Sequence, residues 1–268
     1  MIDNTYNLEE YVKEVLEEER DRSDCICNDV DALLVDDGGE TNVRHTIVGY
    51  PTTPLYKCLS AMLQIWMETK HCPALDLPRF DLLDEKKYAE YRTSVIASVT
   101  PLLTGLTSLW HDWTREEIKY RIREVLMLLG KRGIMDLLGL RKTVGSAELF
   151  PTSRKKLMDS FKLKHSPNSE LWVGARALAK HYHRDQSTSW WGNCTGSETD
   201  KNQHALGKVT AILDNATWIN IHWLPHDIYI VEARQENGYG ARWSADGSLF
   251  RGFLEPQMEG GHDAGWRH

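Results

Sequence analysis

The sequence predicts an α+β fold: an N-terminal helical block followed by two helices packed on a 3-4-stranded antiparallel sheet. Three observations predict it. Apolar residues recur at helical spacing through 51–140, and again beside polar stripes at 166–213. Between 217 and 255 the pattern changes to short alternating runs, separated by Asn237-Gly238 and Asp246-Gly247, two good hairpin turns. Finally, 41% hydrophobic residues are enough for a core, while 26% charged residues and the lack of an apolar run of about 18 residues argue against a membrane span.

In chain order, Asn7 and Glu10 form a capping pair ahead of Leu8, Tyr11, Val12, Val15 and Leu16, which predicts a short acidic helix over 8–20. Residues 21–50 read as linker, because Asp36-Asp37-Gly38-Gly39 has turn chemistry and no burial pattern surrounds it. Thr53-Pro54 opens a helix whose face carries Leu55, Leu59, Met62, Leu63 and Trp66 and which ends at Cys72-Pro73. A second helical region covers 84–111, kinked or divided at Pro101. A third starts at Thr114, where Glu117 completes a capping box, and runs to Gly130. Ser166-Pro167 opens a helix to about Tyr182, and Ser197 precedes another ending near Leu213. Strands are expected at 217–223, 227–234, 239–244 and 249–255.

The expected organisation is an acidic arm and linker at 1–50, a helical block at 51–140, a basic connector at 141–165 and a C-terminal α+β module at 166–268, with 51–268 allowed as one compact unit. Charge supports this division. Residues 1–40 hold fourteen acidic and three basic side chains, whereas the remainder holds 29 basic and 25 acidic ones. An acidic arm on a basic body either folds back, meets a basic partner or serves solubility. The first twenty residues lack the features of a secretory or transit leader, so the expected location is cytoplasmic or nuclear. Five cysteines without a C-x-x-C spacing are expected as reduced thiols.

Candidate chemistry concentrates in the C-terminal module. Arg176, Lys180 and His183 fall at i, i+4 and i+7 on one helix edge, and Lys201, His204 and Lys208 share a stripe on the next. Clustered cations repel one another, so such an arrangement suits an anion held between two helices. Trp190 and Trp191, in a glycine-bearing loop before a helix N-terminus, and Trp243 are equipped to stack on a base or sugar. Period-two counting puts Ile228, Ile230, Glu232 and Arg234 on one strand face, and Arg242 and Arg251 lie between aromatics, good equipment for planar anions. Glu232 and Glu255 either pair with those arginines or orient a histidine. His181, His183 and His204 are the candidate proton carriers, since histidine titrates near neutrality.

Three short segments resemble known motifs. His181-x-His183-x-Asp185 resembles the opening of the metallo-β-lactamase metal motif, but Gln186 stands where that family has its next histidine. His183-Arg184-Asp185 resembles the kinase catalytic triplet, but Trp190 replaces the metal-binding asparagine. Arg176-x4-His181 fits the spacing of HEPN-type ribonucleases, whose all-helical fold does not suit the following strands. None spans more than a short segment, and none assigns a family or a cofactor.

The sequence therefore points to binding, with or without processing, of a phosphate-bearing ligand such as RNA or a nucleotide in a single C-terminal cleft, and leaves enzymatic activity undecided. One alternative is a metal-dependent hydrolase drawing on His181, His183, His204, His222, His226 and Asp185. The other is a protein-interaction adaptor acting through its acidic arm.

Overall fold

A computed structural model of the chain describes residues 6–22, 25–38, 45–78, 85–181, 189–224 and 228–256. The helices are α1 (Leu8–Glu19), α2 (Val30–Leu34), α3 (Leu55–Thr69), α4 (Glu85–Leu109), α5 (Arg115–Leu137), α6 (Arg154–Phe161), α7 (Val173–His181) and α8 (Glu198–Asp214). They are followed by β1 (Ala216–Leu224), β2 (Ile228–Gln235), β3 (Gly240–Ser244) and β4 (Phe250–Leu254). The architecture is α+β, and the four strands form an antiparallel meander in the order β1-β2-β3-β4.

Local chemistry explains most boundaries. Thr114 accepts from the Glu117 amide and the Glu117 carboxylate accepts in return, closing the expected capping box of α5. Gly130, at φ 56°, breaks α5, and a further run of helix continues to Leu137. Ser197 and Asp200 form a second reciprocal cap on α8. Pro101 lies inside α4, which continues through it rather than dividing. The expected helix from Pro167 begins only at Val173, because residues 162–172 instead fold back through a bridge between Lys164 and Trp172.

The segment read as linker is partly core. Ile26, Cys27, Val30 and Leu33 are buried, as are Ile47 and Tyr50, and Thr53 donates to Asp37 at 2.6 Å instead of capping α3. The acidic N-terminal helix is also anchored. Its Leu8, Val12, Val15 and Leu16 are buried, and Arg115 of α5 donates to Glu10 and Glu14 while Arg123 donates to Glu19. Lys119 pairs with Glu18, and Lys131 with Asp29.

One side of the sheet is dry. Ile219, Ile221, Val231, Ala233, Ala241, Trp243 and Phe253 join Leu157 and Phe161 of α6, Ala175 and Leu178 of α7, and Ala205, Val209 and Ile212 of α8 in the same hydrophobic cluster. Packing is close: a Cβ on Gly174 would stand 2.0 Å from the Phe161 ring, so α7 approaches α6 only with glycine there. The free edge of β1 is covered by a strap, residues 140–147, where Arg141 N–H donates to Ile219 and Ala147 N–H to Ile221, each at 2.7 Å. Its basic neighbours are largely paired: Arg141 is buried against Glu85, Lys142 meets Glu148, Arg154 meets Asp214 and Lys164 meets Glu170.

Candidate active site

The strand register divides the predicted residues between two sides of the sheet. Antiparallel partners project to the same face. Asn220 of β1 lies opposite Glu232 of β2, which lies opposite Arg242 of β3, forming one row. His222, opposite Ile230, and Arg234, opposite Trp218, flank that row on the same face, away from the helices, where Trp218, Asn220, Ile230, Glu232 and Arg234 are buried. Tracing from Ile219, Val231 and Trp243 instead leads to the helices.

The row is held rigidly. Glu232 accepts from Arg234 Nε at 2.6 Å, and both side chains are buried. Arg234 Nη1 also donates to the carbonyls of Gly238 and Glu255, tying the β2–β3 turn to the end of β4. Asn220 is fully buried; its Nδ2 donates to Thr143 Oγ1 and its Oδ1 accepts from Ser146 Oγ, both at 2.8 Å, so the strap clasps the first strand. These contacts fix the scaffold around groups that are not satisfied, among them Trp218 Nε1. His222 Nδ1 and Arg242 Nε are buried without a hydrogen-bond partner.

Electrostatics marks the same pair. Burial pushes the His222 pKa down; Glu232 opposes that shift, and Arg242 and Arg234 reinforce it. Burial likewise lowers Arg242, against the pull of Glu232, with Arg251 and Arg234 adding like-charge repulsion. Arg251 itself is exposed beside an irregularity in the β3–β4 register, between Arg242 and Trp243. Two guanidinium groups, those of Arg234 and Arg242, therefore share the Glu232 carboxylate beside a histidine that favours its neutral form, with Arg251 close enough to repel Arg242. Such a site is arranged to receive negative charge and to accept a proton.

The remaining predicted residues gather on the helical side, in filled contacts. His181 Nδ1 lies 2.5 Å from Glu255 Oε1, with the His181 ring against Trp191 and Phe253. His204 Nε2 meets the Trp191 carbonyl at 2.6 Å, and Lys208 donates to the Trp190 carbonyl with its ammonium 4.5 Å from that residue's ring centroid. Trp190 stacks on Tyr239 at 4.4 Å. Trp191 and Trp243 are fully buried, and Trp243 Nε1 donates to the Leu157 carbonyl, so neither offers a ring face to a ligand. Arg176 and Lys180 are exposed and Lys201 is half-buried. The α8 N-terminus, considered for an anion, is occupied by Asp200. The single cleft expected from sequence is not formed: Glu232, Arg242 and His222 lie across the sheet from His181, His204, Lys208, Trp191 and Glu255.

His183, with Asp185 and His226, falls outside the described residues. Among the described residues no group of three or more His, Cys, Asp or Glu side chains is arranged to hold a metal. Sequence reasoning found Glu232, Arg242 and Arg251 but treated His222 only as a metal donor and overlooked Asn220. Period-two counting along β1 places both on the face of Trp218, and that was the available signal.

Residues 162–255 match the family model of the CdiA C-terminal tRNase toxin domain. The match takes in α7, α8 and all four strands, about a third of the chain. No curated protein and no solved structure matches the chain. No described helix is long and apolar enough to cross a membrane.

Proposed function

We propose that the C-terminal part of this chain cleaves RNA at the face of its sheet away from α6, α7 and α8, with transfer RNA as the substrate class. The observation that carries the reading is the excess of guanidinium over carboxylate around His222, whose buried Nδ1 has no hydrogen-bond partner. The similarity of residues 162–255 to a tRNase toxin domain supports RNA as the phosphate-bearing ligand. Transfer RNA is cytoplasmic, so the proposed place of action is the cytoplasm.

In the proposed reaction Arg242 and Arg251 hold the non-bridging oxygens of one phosphodiester and offset the charge that grows there in the transition state. Neutral His222 accepts the proton of the neighbouring 2′-hydroxyl, whose oxygen attacks phosphorus. The bond from phosphorus to the 5′-oxygen breaks, and that oxygen takes a proton from water. The products are a 2′,3′-cyclic phosphate and a 5′-hydroxyl end. Glu232 keeps Arg234 and the row in place, and Asn220 joins the row to the strap. The burial of His222 serves this role, because it keeps the ring in its accepting form near neutral pH.

The test is incubation of purified protein with tRNA, followed by end-group analysis of the fragments. Fragments with 5′-hydroxyl and cyclic phosphate ends that disappear in His222→Ala are expected. Intact tRNA with the wild-type protein, or fragments unaffected by His222→Ala and Arg242→Ala, would remove the proposal.

A further inference from the structure

A second place in the molecule offers positive charge and flat rings to a ligand. Between α4, α5 and the residues that extend the strap lies a cavity of about 390 Å³, lined by Tyr88, Tyr91, Arg92, Arg132, Lys142 and Glu148 around Asp136. Arg92 Nη2 and Arg132 Nη2 both donate to the same Asp136 oxygen at 3.1 Å. Arg132 Nη2 also donates to the Leu140 carbonyl, bracing the start of the strap. Beyond those bonds, Arg92 Nε, Arg132 Nε and Arg132 Nη1 are buried without acceptors. One carboxylate thus serves two guanidinium groups, and much of their donor capacity is unused.

The walls keep this surplus positive. Lys142 and Glu148 pair at 2.7 Å, so Arg92, Arg132 and Lys142 face two carboxylates, Asp136 and Glu148. Burial alone would raise the Glu148 carboxyl, yet its pKa lies below the ordinary value because Lys142 donates to it and Arg132, Lys142 and Lys131 lie near. A purely structural ion pair would be expected to match charges and hydrogen bonds. Here a guanidinium pair is under-compensated next to a space large enough for a small molecule. Tyr91 is exposed at the rim, and Tyr88 is partly buried with the Lys142 ammonium 5.7 Å from its ring centroid.

We infer that this cavity is a nucleotide subsite in which Arg92 and Arg132 hold a phosphate and Tyr91 stacks on the base. The strap connects it to the sheet: Lys142 and Glu148 line the cavity, while Thr143 and Ser146 between them clasp Asn220. The bound nucleotide therefore belongs to the same RNA strand as the bond cleaved at His222, a step that rests on the function proposed above. The cavity acts as an anchor away from the reacting phosphodiester and tightens substrate binding without entering the chemistry.

The experiment uses the full chain and adenosine 5′-monophosphate as probe, in calorimetric titrations beside adenosine and inorganic phosphate. Arg92→Gln keeps a donor for Asp136, and Tyr91→Ala changes an exposed ring, so both variants should fold; their melting curves check this. Saturable binding of the nucleotide is expected, tighter than either fragment, and weakened at least tenfold in each variant. In tRNA cleavage, KM should rise at least fivefold in Arg92→Gln with kcat unchanged. No saturable binding, or equal binding by wild type and both folded variants, overturns the subsite. Nucleotide binding lost in the variants with KM unaltered overturns its part in the substrate path. Nucleotide binding that follows the expected pattern in a protein that leaves tRNA intact upholds the pocket and rejects the cleavage reading.

Discussion

Replacing His222 with methionine should separate activity from stability. The ring is half-buried, its Nδ1 has no hydrogen-bond partner, and burial holds its pKa below the ordinary 6.5. A buried polar atom without a partner costs about 1–3 kcal/mol. Methionine fills similar space without that atom, and its flexible chain adapts to the gap. The attraction of Glu232 for the ring stabilises only the protonated form, which is scarce at pH 7.5, so little is lost with it. After allowance for imperfect packing, the variant should gain about 1 kcal/mol. Unfolding entropy of about 2.1 cal/mol/K per residue gives this 268-residue chain roughly 0.6 kcal/mol/K, so Tm should rise by about 2 °C. Cleavage of tRNA should meanwhile fall by about 10²–10⁴-fold, the usual contribution of a positioned proton acceptor. Differential scanning calorimetry and single-turnover cleavage in one buffer measure both effects. A Tm lowered by several degrees, with cleavage retained within tenfold, would show that the ring serves packing and refute the assignment.

Four other outcomes are expected. The cleavage rate should rise with pH through the His222 pKa, which lies below 6.5, and then level off; a rate falling over that interval would make the ring a proton donor instead. The same shift bears on stability: the folded state binds the His222 proton less readily than the unfolded chain, so stability is full above about pH 6.5 and declines as pH falls, a slope that chemical denaturation should find reduced in His222→Met. Trp243→Ala removes a fully buried ring and the indole hydrogen bond to Leu157, and should cost about 3–5 kcal/mol in urea unfolding; a loss under 1 kcal/mol would contradict the packing. Deleting residues 1–22 removes Leu8, Val12, Val15 and Leu16 from the core, each contributing about 1.5–3 kcal/mol, and should lower Tm sharply, whereas a truncated chain melting within 2 °C of the parent would leave α1 energetically detached.

What the sequence revealed depended on how local each signal was. The strands were legible to within a residue or two because alternation and the Asn237-Gly238 and Asp246-Gly247 turns are local properties. The capping box at Thr114 was equally local, whereas the reciprocal cap between Ser197 and Asp200 emerged only in the structure. Residues 21–50 failed as linker because Ile26, Val30, Leu33, Ile47 and Tyr50 follow no single period; their burial comes from distant helices, and only tertiary structure reveals it. The candidate site failed in a related way. Amphipathic spacing correctly puts Lys201, His204 and Lys208 beside a buried stripe, but it does not say which side of the sheet that stripe covers. Joining His222 and Asn220 to Glu232 and Arg242 requires cross-strand register, which no single segment encodes.

The division between the two sides follows from what each must do. Helices α6, α7 and α8 bring apolar stripes that must leave water, so the inward face is filled with Trp191, Trp243, Phe161 and Phe253; of the polar groups entering it, His181 is matched with Glu255 and Trp243 Nε1 with the Leu157 carbonyl, while Trp191 Nε1 has no partner. A ligand site needs the opposite condition: donors held still but not satisfied. Strands supply this rigidity, because neighbouring backbones fix the spacing of Asn220, Glu232 and Arg242 to within the tolerance of a hydrogen-bonded ladder. Glu232 is committed to Arg234, which leaves Arg242 poorly compensated, and the bonds from Thr143 and Ser146 are spent on Asn220 rather than on His222. The fold therefore leaves Trp218 Nε1, His222 Nδ1 and Arg242 Nε unsatisfied on a face where Asn220, Glu232 and Arg234 are bonded, a pattern that fits the proposed exchange of local stability for ligand chemistry.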